Sequence, residues 1–285
     1  AADRLDVAGA LVLNGANVIV LNLPDSSAPA GTYTLATYAS LNDDSGTLTL
    51  DRTYPNATLA VGATSVTLTI TGSGTVPYLT WLGDGSANLW DTTSENWTPT
   101  AYTDGMAVVF NDTGSDTPAV GIVPAGLAPH AVTVSSATKA YTFGGGALTC
   151  AGGLTKSGAS LLSLNNANTF GGTVALSGGA LTVKAPLASA GITVASGTVF
   201  TQDVAAAISG AGAGLSVSGS AVLLGSSTYT GATTVSTGGS LVLGGSLECS
   251  SIAVGANAFF SQNAGSVIAG SNVTVTLQSN ATLGG

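Results

Sequence analysis

Residues Gly179 to Gly210 superpose without a gap on Gly239 to Gly270 when the chain is slid by 60 positions. The matches are Gly179/Gly239, Leu181/Leu241, Leu187/Leu247, Ile192/Ile252, Val194/Val254, Phe200/Phe260, Gln202/Gln262, Ile208/Ile268 and Gly210/Gly270. Nearly all are apolar or Gly, the residues that point inward or turn a corner, so a structural unit is being repeated. Inside each copy the pattern has period two, as it does in Gly46-Thr-Leu-Thr-Leu50, Ser65-Val-Thr-Leu-Thr-Ile70 and Asn272-Val-Thr-Val-Thr-Leu277. That period sends alternate side chains to opposite faces of a strand. Nowhere do Ala, Glu, Lys and Arg combine into a helical face. The expectation is an all-β chain whose 60-residue period is three coils of about 20 residues in a β-solenoid.

Composition agrees with stacking. The chain has 285 residues, of which 40 are Gly, 45% are hydrophobic and only 7% charged. When like residues stack at about 4.8 Å, charges repel, whereas Asn, Ser and Thr form ladders. So many Gly fit only if many occupy corners with positive φ. A net charge of −9 with five Lys or Arg excludes nucleic acid as a partner, since phosphates require clustered cations. Small or polar residues interrupt every apolar run before it reaches the roughly 18 residues of a spanning helix, so the chain is expected not to span a membrane.

An offset of 59 aligns the preceding segments, and these carry a family likeness. Gly153-Leu-Thr-Lys-Ser-Gly158, Leu161-Leu-Ser-Leu-Asn-Asn-Ala-Asn-Thr-Phe-Gly-Gly-Thr-Val174 and Ser177-Gly-Gly-Ala-Leu-Thr-Val183 closely resemble the autotransporter-associated β-strand repeat. Leu223 to Val235, with Gly238 to Leu243, is a more degraded copy lacking the Lys and the second Asn; Leu11-Val-Leu-Asn-Gly-Ala-Asn17 is a third trace. The Trp81-Leu-Gly-Asp-Gly, Trp90-Asp-Thr-Thr and Asn96-Trp97 block looks like the segment that commonly precedes such repeats. The resemblance implies a right-handed parallel β-helix with an N-terminal β segment, extracellular and on a bacterial surface. The family's membrane translocator barrel is not in this sequence.

Residues 1–116 hold 12 of the 14 acidic residues and all three Trp, while 141–285 hold only Asp203 and Glu248. The expected organisation is a β segment over 1–77, a Trp- and Asp-rich connecting block over 78–140 and regular coils over 141–285. Thr117 to His130, with three Pro, is expected to be a loop-rich transition.

Chemistry is sparse. Polysaccharide-cleaving β-helices need carboxylates beside a cation on neighbouring coils, but Asp203, Glu248, Lys156 and Lys184 fall at different phases of a 20-residue repeat. No catalytic or cofactor-binding residue is assigned, and the chain is not expected to be an enzyme. Asp84, Asp91, Asp104, Asp112 and Asp116 include possible Ca²⁺ ligands, with Asp112 and Asp116 the best spaced; the same letters also make Asx turns. Trp81, Trp90 and Trp97, with Tyr102, form either a sugar-stacking platform or a plug over the coil's end. Cys150 and Cys249, about five coils apart, are expected to be buried and unbridged.

The chain is strand-like from Leu11 onward and stops in mid-pattern at Val273 to Gly285, so coil is expected to meet coil. The expected function is an extracellular structural unit of a surface filament, fibre or layer, with itself as head-to-tail partner. A passenger-type adhesin binding glycans or matrix, and more remotely a polysaccharide lyase, are the alternatives.

Overall fold

The computed structural model describes residues 4–19, 27–28, 30–43, 46–50, 57–70, 74–75, 78–270 and 272–285. Every regular element among them is a strand. The chain divides into two compact units, Ala1–Tyr78 and Leu79–Gly285.

In the first unit, Leu5–Leu13 runs parallel to Gly31–Asp43, and Ser65–Ile70 pairs antiparallel with both Gly31–Asp43 and Ala57–Val61. Ala16–Ile19 pairs parallel with Thr47–Leu50. The segment that carries the third repeat trace is therefore parallel-paired, but its partner lies about 30 residues on and the sheet is closed by antiparallel strands. Ala36, Tyr38 and Val66 form one small core, and Leu68 and Ile70 another.

The second unit is a β-solenoid of about eight turns. Each regular turn supplies three strands to three parallel ladders, here called faces A, B and C. Face A has ten strands, among them Ala119–Ile122, Tyr141–Gly145, Leu161–Leu164, Ala180–Val183, Val199–Gln202, Ser220–Leu223, Ser240–Leu243 and Phe259–Gln262. Face B includes Ala107–Phe110, Val132–Val134, Leu154–Lys156, Leu215–Val217, Thr233–Val235, Ser251–Val254 and Thr274–Leu277. Face C includes Leu148–Cys150, Ala207–Ser209, Ser226–Ser227 and Ser246–Glu248, and the long strands Asn168–Leu176 and Leu187–Val194 run from C into B.

The register explains the 60-residue period. On face A, Leu181 stacks on Phe200, Phe200 on Ala221 and Ala221 on Leu241; on face B, Ile192 stacks on Leu215, Leu215 on Thr233 and Thr233 on Ile252. Sixty residues are thus three coils, although individual coils differ in length by a few residues at their corners. Leu181, Leu241, Ile192, Ile252, Val194, Val254, Phe200 and Phe260 are all buried, as the repeat predicted. Each such side chain contributes on the order of 1.5–3 kcal/mol through the water it sheds.

Two glycines show why the chain needs so many. Gly158 turns a corner at φ 74°, where a Cβ would also lie 2.3 Å from the Ser136 carbonyl oxygen. Gly153 has ordinary φ, but its Cβ would stand 2.2 Å from the Thr173 oxygen of the next coil. Close approach of coils is thus a second reason, alongside positive φ, that the composition alone did not reveal.

Two boundaries differ from expectation. Residues 78–140 are not a separate connector: Tyr78–Trp81, Leu89–Trp90, Ala107–Phe110, Ala119–Ile122 and Val132–Val134 are the first strands of the same solenoid, so no division falls near 140. The Pro-rich stretch contains the paired strand Ala119–Ile122, because Pro118 precedes it and Pro124 and Pro129 fall after it, where no ladder N–H is needed.

Candidate functional site

The aromatic and acidic residues converge in the first coils. Trp81, Trp90, Tyr102, Phe110, Tyr141 and Phe143 are fully buried and Trp97 is 4% exposed. Trp97 meets Trp81 edge-on at 4.9 Å and Trp90 at 5.2 Å, and Phe110 packs on Phe143 at 4.7 Å. Large rings fill the interior here because the antiparallel pairing of Trp97–Thr98 with Tyr78–Trp81 leaves the regular parallel stack. No indole face is open, so the sugar-stacking platform offered by Trp81, Trp90 and Trp97 is corrected: these rings are core. Their Nε1 atoms have no hydrogen-bond partner, which fits packing against other rings.

The aspartates act as braces. Asp112 accepts from Ser136 Oγ (2.5 Å), Thr138 Oγ1 (2.6 Å), Thr138 N (2.9 Å) and Ala137 N (3.0 Å), all about one coil further along the chain. The Ser136 hydroxyl, then the Thr138 hydroxyl and the two amides, hold its carboxyl well below the usual carboxylate range. Asp116 accepts from Lys139 Nζ at 2.7 Å, a bond that lowers its pKa, and Lys139 also donates to the Gly114 carbonyl. Asp84 closes its own loop on Asn88 N and Ser86 N, bonds that depress its carboxyl in that order. Asp91 caps Thr93 and Ser94, and Asp104 accepts from Tyr102 Oη and Ala128 N. Burial, and then this carboxylate, push the Tyr102 phenol far up.

Asp112 and Asp116, the Ca²⁺ candidates, are both engaged as hydrogen-bond acceptors. Ca²⁺ takes roughly six to eight oxygen ligands, whereas these carboxylates face N–H and O–H donors that present positive ends. Among the described residues no three His, Cys, Asp or Glu gather at one point.

Three polar features lay outside the sequence reading. Lys156 sits in the apolar inward column of face B, between Val134 and Leu176, and is fully buried. Its Nζ donates to the carbonyls of Ser157 (2.8 Å), Gly158 (2.9 Å) and Gly178 (3.1 Å), tying two coils together, and burial lowers its pKa. The second feature is a shallow notch of about 390 Å³ lined by Ser196, Thr198, Val199, Ser218, Gly219 and Ser240, where the two-residue corner Ser218–Gly219 lies between longer ones.

The third concerns charge. Lys184 and Asp203, expected at different phases, follow Val183 and Gln202, which are partners in the face A ladder. They share one phase on adjacent coils because this coil is one residue shorter than the mean of 20. Cys150 and Cys249 are buried and unbonded, five ladder steps apart on face C.

The chain was compared with protein-family models, with curated proteins and with solved structures, and none matches.

Proposed function

We propose that the chain is an extracellular structural protein, a β-solenoid unit of a bacterial surface filament, fibre or layer that assembles end to end. The observation that carries this reading is the uninterrupted inward column. In the last coil Val275 stacks on Ile252, Leu277 on Val254 and Leu283 on Phe260. Val275, Leu277 and Leu283 are 44%, 46% and 53% exposed, and residues 249–285 contain no charged side chain. The column thus keeps one phase and spacing from coil to coil, the repeat that a further coil of the same kind would match, and heterologous contacts of that kind propagate without closing. The likeness of Gly153 to Val183 to secreted bacterial repeats supports the extracellular placement. The adhesin alternative loses its aromatic platform to the core.

Negative-stain electron microscopy of concentrated protein tests the assembly, and surface immunogold labelling of source cells tests the location. Filaments or sheets with label outside the cell are expected; short isolated rods at every concentration, or label confined to the interior, overturn the respective part.

A further inference from the structure

The outward side of face A is nearly free of charge. Residues 141–285 contain four charged side chains: Lys156 is buried, Glu248 lies on face C, and only Lys184 and Asp203 remain, on the rim of face A. Neither forms an ion pair among the described residues, and they have opposite sign. Their strands, Ala180–Val183 and Val199–Gln202, are the fifth and sixth of the ten in the sheet. The centre of the face therefore lies between them.

From this the geometry points to a second copy of the chain as the occupant of face A, packed face to face and antiparallel about a two-fold axis between those two coils. Such an axis keeps a residue on the same rim while exchanging the fifth coil for the sixth. Lys184 then meets the partner's Asp203 and Asp203 meets the partner's Lys184. The small and large outward residues also interchange: Ala180 lies opposite the partner's Val199, and Thr182 opposite the partner's Thr201. Leu161, 37% exposed on the fourth coil, lies opposite the seventh, where the notch beside Ser220 receives it. A parallel arrangement, about an axis along the stack, would carry Lys184 and Asp203 to opposite rims, away from each other's partners, and bring the acidic first coils together in a molecule of net charge −9. The antiparallel one sets each acidic end against the uncharged coils of its neighbour.

The area suits reversible association. Ten strands at about 4.8 Å and four residues at about 3.3 Å give about 600 Å² per copy, near the lower bound of specific interfaces. The pairing goes beyond the proposed function and holds whether or not the chain forms filaments.

Sedimentation of the full chain over a concentration series is the first test, with a reversible dimer expected and weakened by added salt. Asp203→Lys should weaken pairing about 10-fold or more through like charges facing each other at two places, and Lys184→Asp with Asp203→Lys together should restore it. Asp203→Asn, which keeps the local turn bond to Ala205, should weaken it less. Orientation is read by mixing a Thr142→Cys chain with a Val242→Cys chain and adding a short bismaleimide: the third coil lies opposite the partner's eighth, about 10 Å away, whereas like cysteines stand about five coils, or about 24 Å, further along the stack. Crosslinked dimer should form in the mixture and not in either chain alone. Monomer persisting to roughly 1 mM overturns the proposal, as do equal crosslinking in the unmixed samples, a failure of the charge swap to restore pairing, and monomer that sediments with an insoluble neutral polysaccharide.

Discussion

At the scale of single residues, the buried ionisable groups decide how the fold responds to pH. Lys156 places its charge on three carbonyls and forms no ion pair among the described residues. Lys156→Met should destabilise by about 1–3 kcal/mol, since those carbonyls lose their donor, with part of the loss offset by no longer desolvating an ammonium. Lys156→Ala should cost more, because a cavity is added; urea unfolding of both variants checks the order. The folded lysine has a lowered pKa, so between that value and its unfolded pKa the unfolded chain binds more protons. Its effect is a stability that rises with pH. Cys150 works in the opposite direction. Burial pushes its thiol up to about 12, so from about pH 9 to 12 the unfolded chain releases a proton that the folded chain retains. Tyr141, also raised to about 12 by burial, adds to that loss above pH 10. Stability should fall with alkaline pH, by up to about 1.4 kcal/mol per pH unit for each such group. Thermal melts should show the decline between pH 9 and 10 reduced in Cys150→Ala.

At the scale of the strand, period two makes a sharp contrast between neighbours. Ile192 is buried in the column below Leu215, and Thr193 beside it is exposed. Ile192→Asp should abolish the cooperative melt, because a charge is placed in an apolar column without a partner, whereas Thr193→Asp should shift it little. The aromatic coils make a similar test. Trp90→Ala should cost about 3–5 kcal/mol, and native tryptophan emission should resist iodide quenching until the solenoid unfolds.

These strands were legible because the constraint is local: an inward apolar residue every second position, repeated in phase with itself. Strict alternation over Leu154–Lys156 places Lys156 inward, but its charge argues against that row, and the three carbonyls that satisfy it are gathered only by the corners of two successive coils. The bracing role of Asp112 was not legible, since its donors at Ser136, Ala137 and Thr138 are set beside it only by the register between coils. For the same reason the pairing of phases at Lys184 and Asp203 was missed. A coil one residue shorter than the mean moves a side chain to a different neighbour, and the mean is all that a sequence period supplies.

At the scale of the whole molecule, each coil touches only the one before and the one after it, and stability is then close to a sum over adjacent pairs. The two buried thiols turn that arrangement into a gauge of tension. Pulled along its axis, the chain should give way one coil at a time, each releasing about 65–70 Å of contour as some 20 residues extend. Cys249, near one end of the stack, and Cys150, five coils further in, would then become reactive in sequence as the stretch grows. A thiol-specific dye present during a constant-force experiment should label Cys249 before Cys150 when unravelling starts from the C-terminal coil. Simultaneous labelling would mean that the solenoid breaks as a single body.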